Sequence, residues 1–318
     1  MKSYNKILSH ILIIVVYIFL SSMLFFNCER RNSKLDLSTL SWIDQYGYNS
    51  EEVISANIRG RIPGPKIPVT IGTETHFCMI DLSHFGLILK DNAFDEMSFE
   101  PQRIVSLGEG DGEMMLEEGF LTNCTIFGQD YETLYSAMLK SSNIKIPSSG
   151  LVGRNFLLGG RITFDLSNNV LSYSKRTLPS LSEISKSGQI IKIDLSDENL
   201  GNTGLIKFSG TIKGRPICMT LNTRSRHSLI SPELVREIAG EKQAGKKFFA
   251  LDSLYVGDYL FLDQVCELNP EQLTLEPRYK EPIHLSIGLE TLQDIIATID
   301  FNEELFMIEE PVRIKDAD

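Results

Sequence analysis

The chain has little positive charge for its size and lacks several motifs that indicate common chemistries. It carries 31 basic against 42 acidic residues, a formal charge of −11. Nucleic-acid-binding proteins need a basic face, so a nucleic-acid partner is excluded. The absence of a Gly-x-Ser-x-Gly segment argues against the nucleophile elbow of serine hydrolases. His84 and His227 have no second His or Cys at a metal-ligand spacing, so we predict neither a metal site nor a cofactor.

Long apolar runs are also scarce, and the one that stands out lies at the N-terminus. Residues 1–28 contain Lys2 and Lys6, followed by a largely apolar stretch, residues 11–26. This order is typical of a targeting segment. The stretch has 16 residues, fewer than the roughly 20 that a membrane-spanning helix needs. Its end resembles a loose bacterial lipobox with Cys28 as the lipidated N-terminus, although the Phe-Asn pair before the cysteine departs from the usual small residues.

We therefore expect a bacterial lipoprotein that is anchored to a membrane through Cys28, with its body outside the cytoplasm. An uncleaved apolar anchor and plain secretion are the alternatives, and both allow the same location. Lys2 and Lys6 are the only charged residues in 1–28, so the remainder has a formal charge of −13, two below −11. Residues 29–60 are polar and mixed and contain the single tryptophan. They are predicted to form a tether that runs into a first strand.

The rest of the chain repeats itself once. In residues 77–89 an apolar run leads to Asp81 and a second apolar run leaves it, and residues 218–230 repeat this pattern around Asn222. Landmarks recur in the same order, separated by 141 residues for Asp81 and Asn222, 140 for Cys78 and Cys218, 142 for Cys124 and Cys266, and 135 for Asp165 and Asp300. A nearly constant offset over four landmarks predicts two similar β-rich lobes related by a pseudo-twofold axis.

The two turns and the two lobe endings resemble those of retropepsin-like and pepsin-like aspartic peptidases. In that family an apolar-apolar-Asp-Thr-Gly turn precedes a strand, and each lobe ends with apolar-Leu-Gly-x-x-Phe-Leu and a further strand. Residues 149–166 and 287–301 are similar to this ending. The resemblance covers roughly residues 60–310 and implies a mainly β fold of two tandem retropepsin-like β-barrel lobes. The predicted segments are a targeting segment (1–28), a tether (29–60), an N-terminal lobe (61–175), a connector (176–190) and a C-terminal lobe (191–312).

The resemblance places Asp81 and Asn222 at the two positions of the catalytic pair. Aspartic peptidases need two carboxylates that share one proton, because like charges about 3 Å apart cannot both ionise. One carboxylate takes a proton from water while the other polarises the scissile carbonyl. An amide at position 222 can orient a water molecule but cannot exchange a proton near neutral pH. One half of the acid–base pair is therefore missing.

The residues next to this pair also depart from the family pattern. Family threonine hydroxyls tie the two turns together, and Thr223 matches one of them, whereas Leu82 replaces the other. Ser83 and Arg224 replace the two glycines. A guanidinium near Asp81 would favour the charged carboxylate and occupy the cleft floor.

These departures favour a catalytically inactive, peptidase-like protein that binds a peptide or protein segment between its lobes. An active aspartic endopeptidase with an atypical Asp81/Asn222 pair is the main alternative. A third is a β protein whose likeness to the peptidases is superficial.

Two further features leave alternatives open. Residues 104–116 read as two short strands around a tip with three glycines in residues 108–112, which favours a mobile hairpin. In the family a hairpin here is the flap that closes over substrate, and an ordinary surface hairpin is the alternative.

The cysteines of the two lobes form either one disulfide per lobe, as an oxidising compartment allows, or four buried thiols; these are Cys78, Cys124, Cys218 and Cys266.

Overall fold

The structure is a computed structural model, and it describes residues 39–56, 64–91, 93–95, 97–107, 114–142, 148–184, 188–195, 205–268 and 282–311. The chain divides into two compact units, Met1–Leu40 and Ser41–Asp318. Everything that follows concerns the second unit. The predicted targeting segment, Cys28 and the Gly-rich tip at 108–112 lie outside the described residues. No helix among the described residues is both long enough and apolar enough to cross a bilayer.

The body is mainly β, as predicted, with a few short helices. Its first ten strands are β1 (Val53–Ser55), β2 (Lys66–Ile71), β3 (Glu74–Asp81), β4 (Leu87–Lys90), β5 (Phe99–Leu107), β6 (Met114–Ile126), β7 (Gln129–Ser142), β8 (Gly150–Gly153), β9 (Arg161–Asp165) and β10 (Val170–Ser174). The remaining strands are β11 (Gln189–Lys192), β12 (Lys207–Ile212), β13 (Arg215–Leu221), β14 (Ser228–Ile230), β15 (Phe248–Val256), β16 (Tyr259–Leu268), β17 (Leu285–Ile287), β18 (Ile296–Asp300) and β19 (Leu305–Glu309).

The helices are α1 (Ser41–Gln45), α2 (Leu181–Ile184), α3 (Pro232–Ala239), α4 (Glu241–Ala244) and α5 (Leu289–Leu292), with 3₁₀ turns at Ser50–Glu52 and Arg154–Phe156. The longest, α3, begins as its sequence predicts. Ser231 precedes it and its hydroxyl accepts the Leu234 N–H at 3.1 Å, and Pro232 occupies the first turn.

Each lobe contains a closed barrel of six strands. In the N-terminal lobe the order is β2-β3-β8-β4-β7-β6, and β6 returns to β2 with Val69 opposite Ile126; β5 is an additional strand on β6. In the C-terminal lobe the order is β12-β13-β17-β14-β16-β15, closed by Thr211 opposite Tyr255. The two orders are identical once each strand is matched to its repeat. The prediction of two tandem β-barrel lobes is confirmed.

Strand alternation explains how the barrels form. Along β2 the side chains of Ile67, Val69 and Ile71 are fully buried, whereas the residues between them are partly exposed. Successive side chains of a strand point to opposite faces, so this pattern turns one face inward. The same apolar cluster continues from the first barrel into the second.

A third sheet joins the lobes, in the order β1-β10-β9-β18-β19-β11. Its order is symmetric, because β9 and β18 are repeats of each other and pair antiparallel at its centre. Thr163 lies opposite Thr298 in this pair, and their hydroxyls share a hydrogen bond of 2.9 Å. The pseudo-twofold axis predicted from the repeat therefore passes between these two threonines.

The lobes differ in the segment that follows the strand after each turn. In the N-terminal lobe β5 and β6 form a hairpin that extends beyond the barrel. Between β14 and β15, where every residue is described, the chain instead forms α3 and α4. The hairpin is thus present in one lobe only, as its uneven glycine distribution indicates.

Parts of the predicted tether and of the predicted connector are folded in the structure. Residues 41–56 belong to the folded body, because Trp42 and Tyr46 are buried and β1 pairs with β10. The indole of Trp42 donates to the Asp165 carboxylate at 3.0 Å, and the Tyr46 hydroxyl bonds to Glu309. The segment therefore contacts the ends of both lobes. The connector contains α2 and the start of β11, an edge strand of the central sheet.

The structure contains no disulfide among the four lobe cysteines. In the C-terminal lobe Cys266 lies in the barrel core, whereas Cys218 packs outside it. In the N-terminal lobe Cys78 and Cys124 pair with opposite sides of β2. Two strand spacings, about 10 Å, separate them, and a disulfide needs Cα atoms within about 7 Å.

Candidate functional site

The first turn is built where β3 ends. Buried apolar residues lead to Asp81, which is fully buried, and β3 runs parallel to β8 with Asp81 opposite Gly153. A Cβ atom at Gly153 would lie 2.7 Å from the Gly86 nitrogen and 2.8 Å from the His84 oxygen. Only glycine lets the turn fold back this closely, and Gly153 N–H in turn bonds to the Gly86 carbonyl at 2.7 Å. The glycine of the lobe ending thus holds the Asp81 turn in place.

The second turn repeats this construction. Asn222 follows β13, and its N–H donates to the Ile287 carbonyl of β17 at 2.9 Å. Gly288 follows directly, and a Cβ atom there would lie 2.3 Å from the His227 oxygen. The sequence repeat therefore extends to the backbone contacts that shape both turns.

A threonine of the second turn bonds to the backbone of the first. The Thr223 hydroxyl donates to the Ile80 carbonyl at 2.7 Å and accepts the Leu82 N–H at 3.1 Å. All three residues are buried. Leu82, which occupies the matching position in the first turn, has no hydroxyl to return these bonds. The expectation that the turns meet is confirmed, and the hydroxyl bonds between them come from the second turn only.

Asp81 is held by its own turn and by the opposite one. Its Oδ1 accepts the Ser83 N–H at 3.0 Å and the Ser83 hydroxyl at 2.5 Å. Its Oδ2 faces the Arg224 guanidinium, with Nη1 at 3.4 Å. Arg224 therefore lies beside the carboxylate at the turn junction, as its position in the sequence predicted.

The Asn222 side chain bonds to backbone groups of its own turn. The side chain is 7% exposed, and its Oδ1 accepts the N–H groups of Arg224 at 2.9 Å and Ser225 at 3.0 Å. Both bonds close a turn of the kind that Asn and Asp side chains form. The amide oxygen is engaged in shaping the loop, and the amide has no proton to transfer near neutral pH.

A second arginine lies beneath the first turn. Arg154 is 2% exposed, and its Nη1 donates to the Leu82 carbonyl at 3.3 Å. Burial lowers the pKa of the neighbouring His84; the charge of Asp81 opposes this, and Arg224 and Arg154 add to it. The His84 imidazole is therefore neutral at pH 7. Within the described residues its buried Nε2 has no hydrogen-bond partner.

Sequence reasoning missed the two residues that fix the outer end of each turn. Asn155 Oδ1 accepts the Gly86 N–H at 2.6 Å. At the matching place Glu290 pairs with His227 at 2.8 Å and Arg226 at 2.8 Å. Burial raises the pKa of Glu290, but its hydrogen bonds to Arg226 and His227 outweigh that and lower it. The sequence signal that could have found them is a polar residue two positions after the glycine of each lobe ending: Asn155 after Gly153, and Glu290 after Gly288.

Neither histidine is part of a metal-ligand cluster in the described part of the chain, where no group of three His, Cys, Asp or Glu converges. A separate groove of about 500 Å³ lies in the C-terminal lobe. It is lined by side chains of α3, α4 and β15 and their neighbours, including Lys213, Lys246 and Phe248. None of the residues that line it belongs to the two turns.

Comparison with protein-family models finds no match, and comparison with curated proteins finds none either.

Proposed function

We propose that the protein is an inactive relative of the aspartic peptidases that binds a peptide or protein segment between its two lobes. The observation that carries this proposal is the pair of side chains in the second turn, Asn222 and Arg224. Asn222 stands at the second position of the acid–base pair, and Arg224 extends from the same turn to Asp81. The folding of the two turns is retained while the proton-transfer chemistry is lost.

The chemical argument rests on what each group can do. Peptide hydrolysis by this mechanism needs one ionised and one protonated carboxyl group that exchange roles. Asn222 cannot take either role, and its oxygen is occupied by two backbone N–H groups. The guanidinium of Arg224 also lies where a second catalytic group would need access to Asp81. A binding role requires neither group to change its protonation state.

An active endopeptidase is the second candidate. Asp81 is retained and buried, and Thr223 keeps the turns in register. If Asn222 positioned the attacking water, Asp81 would act alone as the base. This version lacks an acid to polarise the scissile carbonyl, which is why we rank it second.

The cellular setting is part of the proposal. The short apolar segment that ends at Cys28 supports a lipid anchor and an extracytoplasmic body, with the tether ending before Ser41 instead of at residue 60. Radioactive palmitate should label the chain in a bacterial host, and Cys28→Ala should lose the label. Label retained by Cys28→Ala would overturn the anchor.

The function is tested with the full-length protein in detergent and a mixed peptide library at acidic and neutral pH. We expect the protein to retain a subset of peptides without cleaving them. Asp81→Ala should also leave every peptide intact. Cleavage by the natural protein that Asp81→Ala abolishes would establish the endopeptidase, and failure to retain any peptide would overturn the binding role.

A further inference from the structure

The two lobes differ along one edge of the barrel wall. In the N-terminal lobe β7 lies on one side of β6, while on the other side β2 pairs with residues 124–126 and β5 with residues 114–121. In the C-terminal lobe β12 pairs with β15 only where Thr211 lies opposite Tyr255. Among the described residues no strand takes the place of β5, so residues 248–254 of β15 form an open edge. The unpaired N–H and C=O groups of such an edge are a template for another strand.

The backbone groups that face this edge can be assigned. The carbonyl of Lys247 accepts the Leu268 N–H at 2.9 Å, and β15 pairs with β16 without a shift in register from Phe248 to Leu251. Backbone groups of successive residues in a strand point to alternate sides. The N–H and C=O groups of Phe248 and Ala250 therefore face away from β16, toward the open edge. An added strand would bond to these groups.

The groove of about 500 Å³ in the C-terminal lobe borders the same edge. From Phe248 to Asp252 the edge is about 13 Å long, since a strand rises about 3.3 Å per residue. The Lys213 ammonium donates to the Ile238 carbonyl at 3.2 Å and so joins the β12–β13 turn to the end of α3. The groove combines β15 with these neighbouring elements; its lining includes Phe248, Ala250 and Asp252 of β15, Ala239 of α3, Gln243 of α4, and Lys213.

The outer face of the β15–β16 hairpin is apolar in a way that the fold does not require. Tyr255 and Leu260 lie opposite each other next to the hairpin turn and are 43% and 39% exposed. The matching pair in the N-terminal lobe is Thr125 and Asp130, whose side chains share a hydrogen bond of 2.6 Å. Leu262, 59% exposed, continues the apolar face. An exposed apolar surface that only one of two similar lobes carries favours a partner.

The charges beside the edge give the added strand a direction. Lys246 lies just before β15 and lines the groove at that end, and Asp252 lines it at the other. Neither side chain forms an ion pair within the described residues. A strand that adds antiparallel to β15, as β5 adds to β6, runs from Asp252 toward Lys246. A basic residue at its start and an acidic residue at its end would complement these charges.

We propose that the open edge of β15 is a binding site that takes up an extended segment of a partner protein as an antiparallel strand, with a basic residue at its start and an acidic residue at its end. A free segment suits this groove because β15 of a second copy would bring its own α3 and α4 against the helices beside the edge. The site includes neither turn, so it is independent of the proposed cleft.

The direction is tested by fluorescence anisotropy with the full-length protein and two labelled, amidated heptapeptides, Lys-Thr-Val-Thr-Val-Thr-Glu and Glu-Thr-Val-Thr-Val-Thr-Lys. We expect the first to bind about fivefold more tightly, as complementary surface charges allow. Lys246→Gln should reduce this difference. Lys242→Gln should preserve it, because this exposed lysine of α4 does not line the groove. Equal affinity of the two heptapeptides would overturn the assigned charge complementarity.

Strand addition is tested on the peptide, which leaves the protein unchanged. Only alternate N–H groups of a strand face its neighbour. The first heptapeptide is therefore N-methylated at alternate residues, in either of the two possible sets. We expect one set to abolish binding and the other to retain it. Loss in both, or retention in both, would overturn pairing with β15.

A variant of the edge separates this site from the proposed cleft. Ala250→Pro removes an N–H that faces the open edge, a position where an edge strand tolerates proline. It should lose the heptapeptide and still retain the library peptides of the cleft, and Ala250→Val should retain both. Loss of both by Ala250→Pro in a folded protein would overturn the separate site. Heptapeptide binding without library binding by the natural protein would overturn only the cleft. Dimerisation in sedimentation that Ala250→Pro abolishes would identify a second copy as the occupant and overturn the partner segment.

Discussion

The Asp81 turn and the Asn222 turn share one backbone design and differ in their side chains. The first turn has an acid, Asp81, followed by Leu82. The second has an amide, Asn222, followed by Thr223, whose hydroxyl supplies the hydrogen bonds to the backbone of the first turn. These hydroxyl bonds therefore come from one side only. The proposed function rests on the other difference, because the acid–base chemistry of a peptidase of this kind needs two carboxylates.

The largest expected loss of stability comes from a substitution in the central sheet, where the two repeats also differ. Arg161 and Asp300 form a buried pair at 2.7 Å, while the matching Asp165 is bonded by Trp42. Arg161→Met leaves a buried carboxylate without its cation, which costs about 3–5 kcal/mol. Arg226→Gln, which breaks an exposed pair, should cost less than about 1 kcal/mol. Denaturant unfolding of both variants would measure this, and equal losses would contradict the assignment of a structural role to the buried pair.

The next largest loss of stability is expected when the Thr223 hydroxyl, which links the two turns, is removed. Thr223→Val removes the partner of two buried backbone groups, and each unsatisfied group costs about 1–3 kcal/mol. The control is Thr220→Val, three residues earlier, because the buried Thr220 hydroxyl has no hydrogen-bond partner among the described residues. Thr220→Val should be nearly neutral in denaturant unfolding. A loss in Thr220→Val as large as that in Thr223→Val would show that the hydroxyl bonds between the turns are not what stabilises the junction.

The two turns should respond to acid at different pH. His84 has its pKa lowered from 6.5, so the unfolded chain binds its proton first, and this contribution to stability is present above pH 6.5 and is lost as the pH falls below it. Glu290 has its pKa lowered from 4.5, so its contribution is lost only below pH 4.5. His84→Gln should flatten the pH dependence of unfolding just below pH 6.5, and Glu290→Gln should leave that part of the curve unchanged. The reverse pattern would contradict both assignments.

The smallest effect distinguishes the cysteines of the lobes. Burial raises the pKa of Cys78, Cys124 and Cys266 to about 12, which keeps these thiols protonated and unreactive. Cys218 is partly exposed. Brief alkylation of the native protein followed by peptide mapping should modify Cys218 first among the lobe cysteines. Faster modification of Cys266 would contradict the placement of these two thiols on opposite sides of the barrel wall.

The features that could be predicted from sequence are those that the repeat contains. The repeat of the Asp81 and Asn222 turns predicted the two lobes, and the positions of Thr223 and Arg224 in the second turn predicted their contacts with the first turn. Cys78 lies three residues before Asp81, whereas Cys218 lies four residues before Asn222. A shift of one residue in a strand reverses the side on which a side chain lies, which explains why Cys78 is in the barrel core and Cys218 is outside it.

Other features depend on contacts that local patterns do not record. The segment Ser41–Gln45 is polar enough to read as a tether, yet it is ordered by long-range bonds from Trp42 and Tyr46 to the ends of both lobes. Arg154 lies in the lobe ending, 72 residues after the Leu82 carbonyl that it contacts. No periodicity in the sequence places a charged side chain under a turn that is distant in the chain.

The central proposal is that the second turn, and not the fold, keeps the protein from hydrolysing peptides. Its most direct test is hydrolysis of the peptide library at acidic pH by four full-length proteins: the natural protein, Asp81→Ala, Asn222→Asp and Asn222→Asp with Arg224→Gly. Proton transfer by a positioned group is worth about 10²–10⁴-fold in rate. We predict no cleavage by the first two proteins and the fastest cleavage by the double variant. Cleavage by the natural protein that is lost in Asp81→Ala would contradict the account. If the double variant does not cleave any peptide, further residues such as Leu82 and Ser83 also prevent hydrolysis.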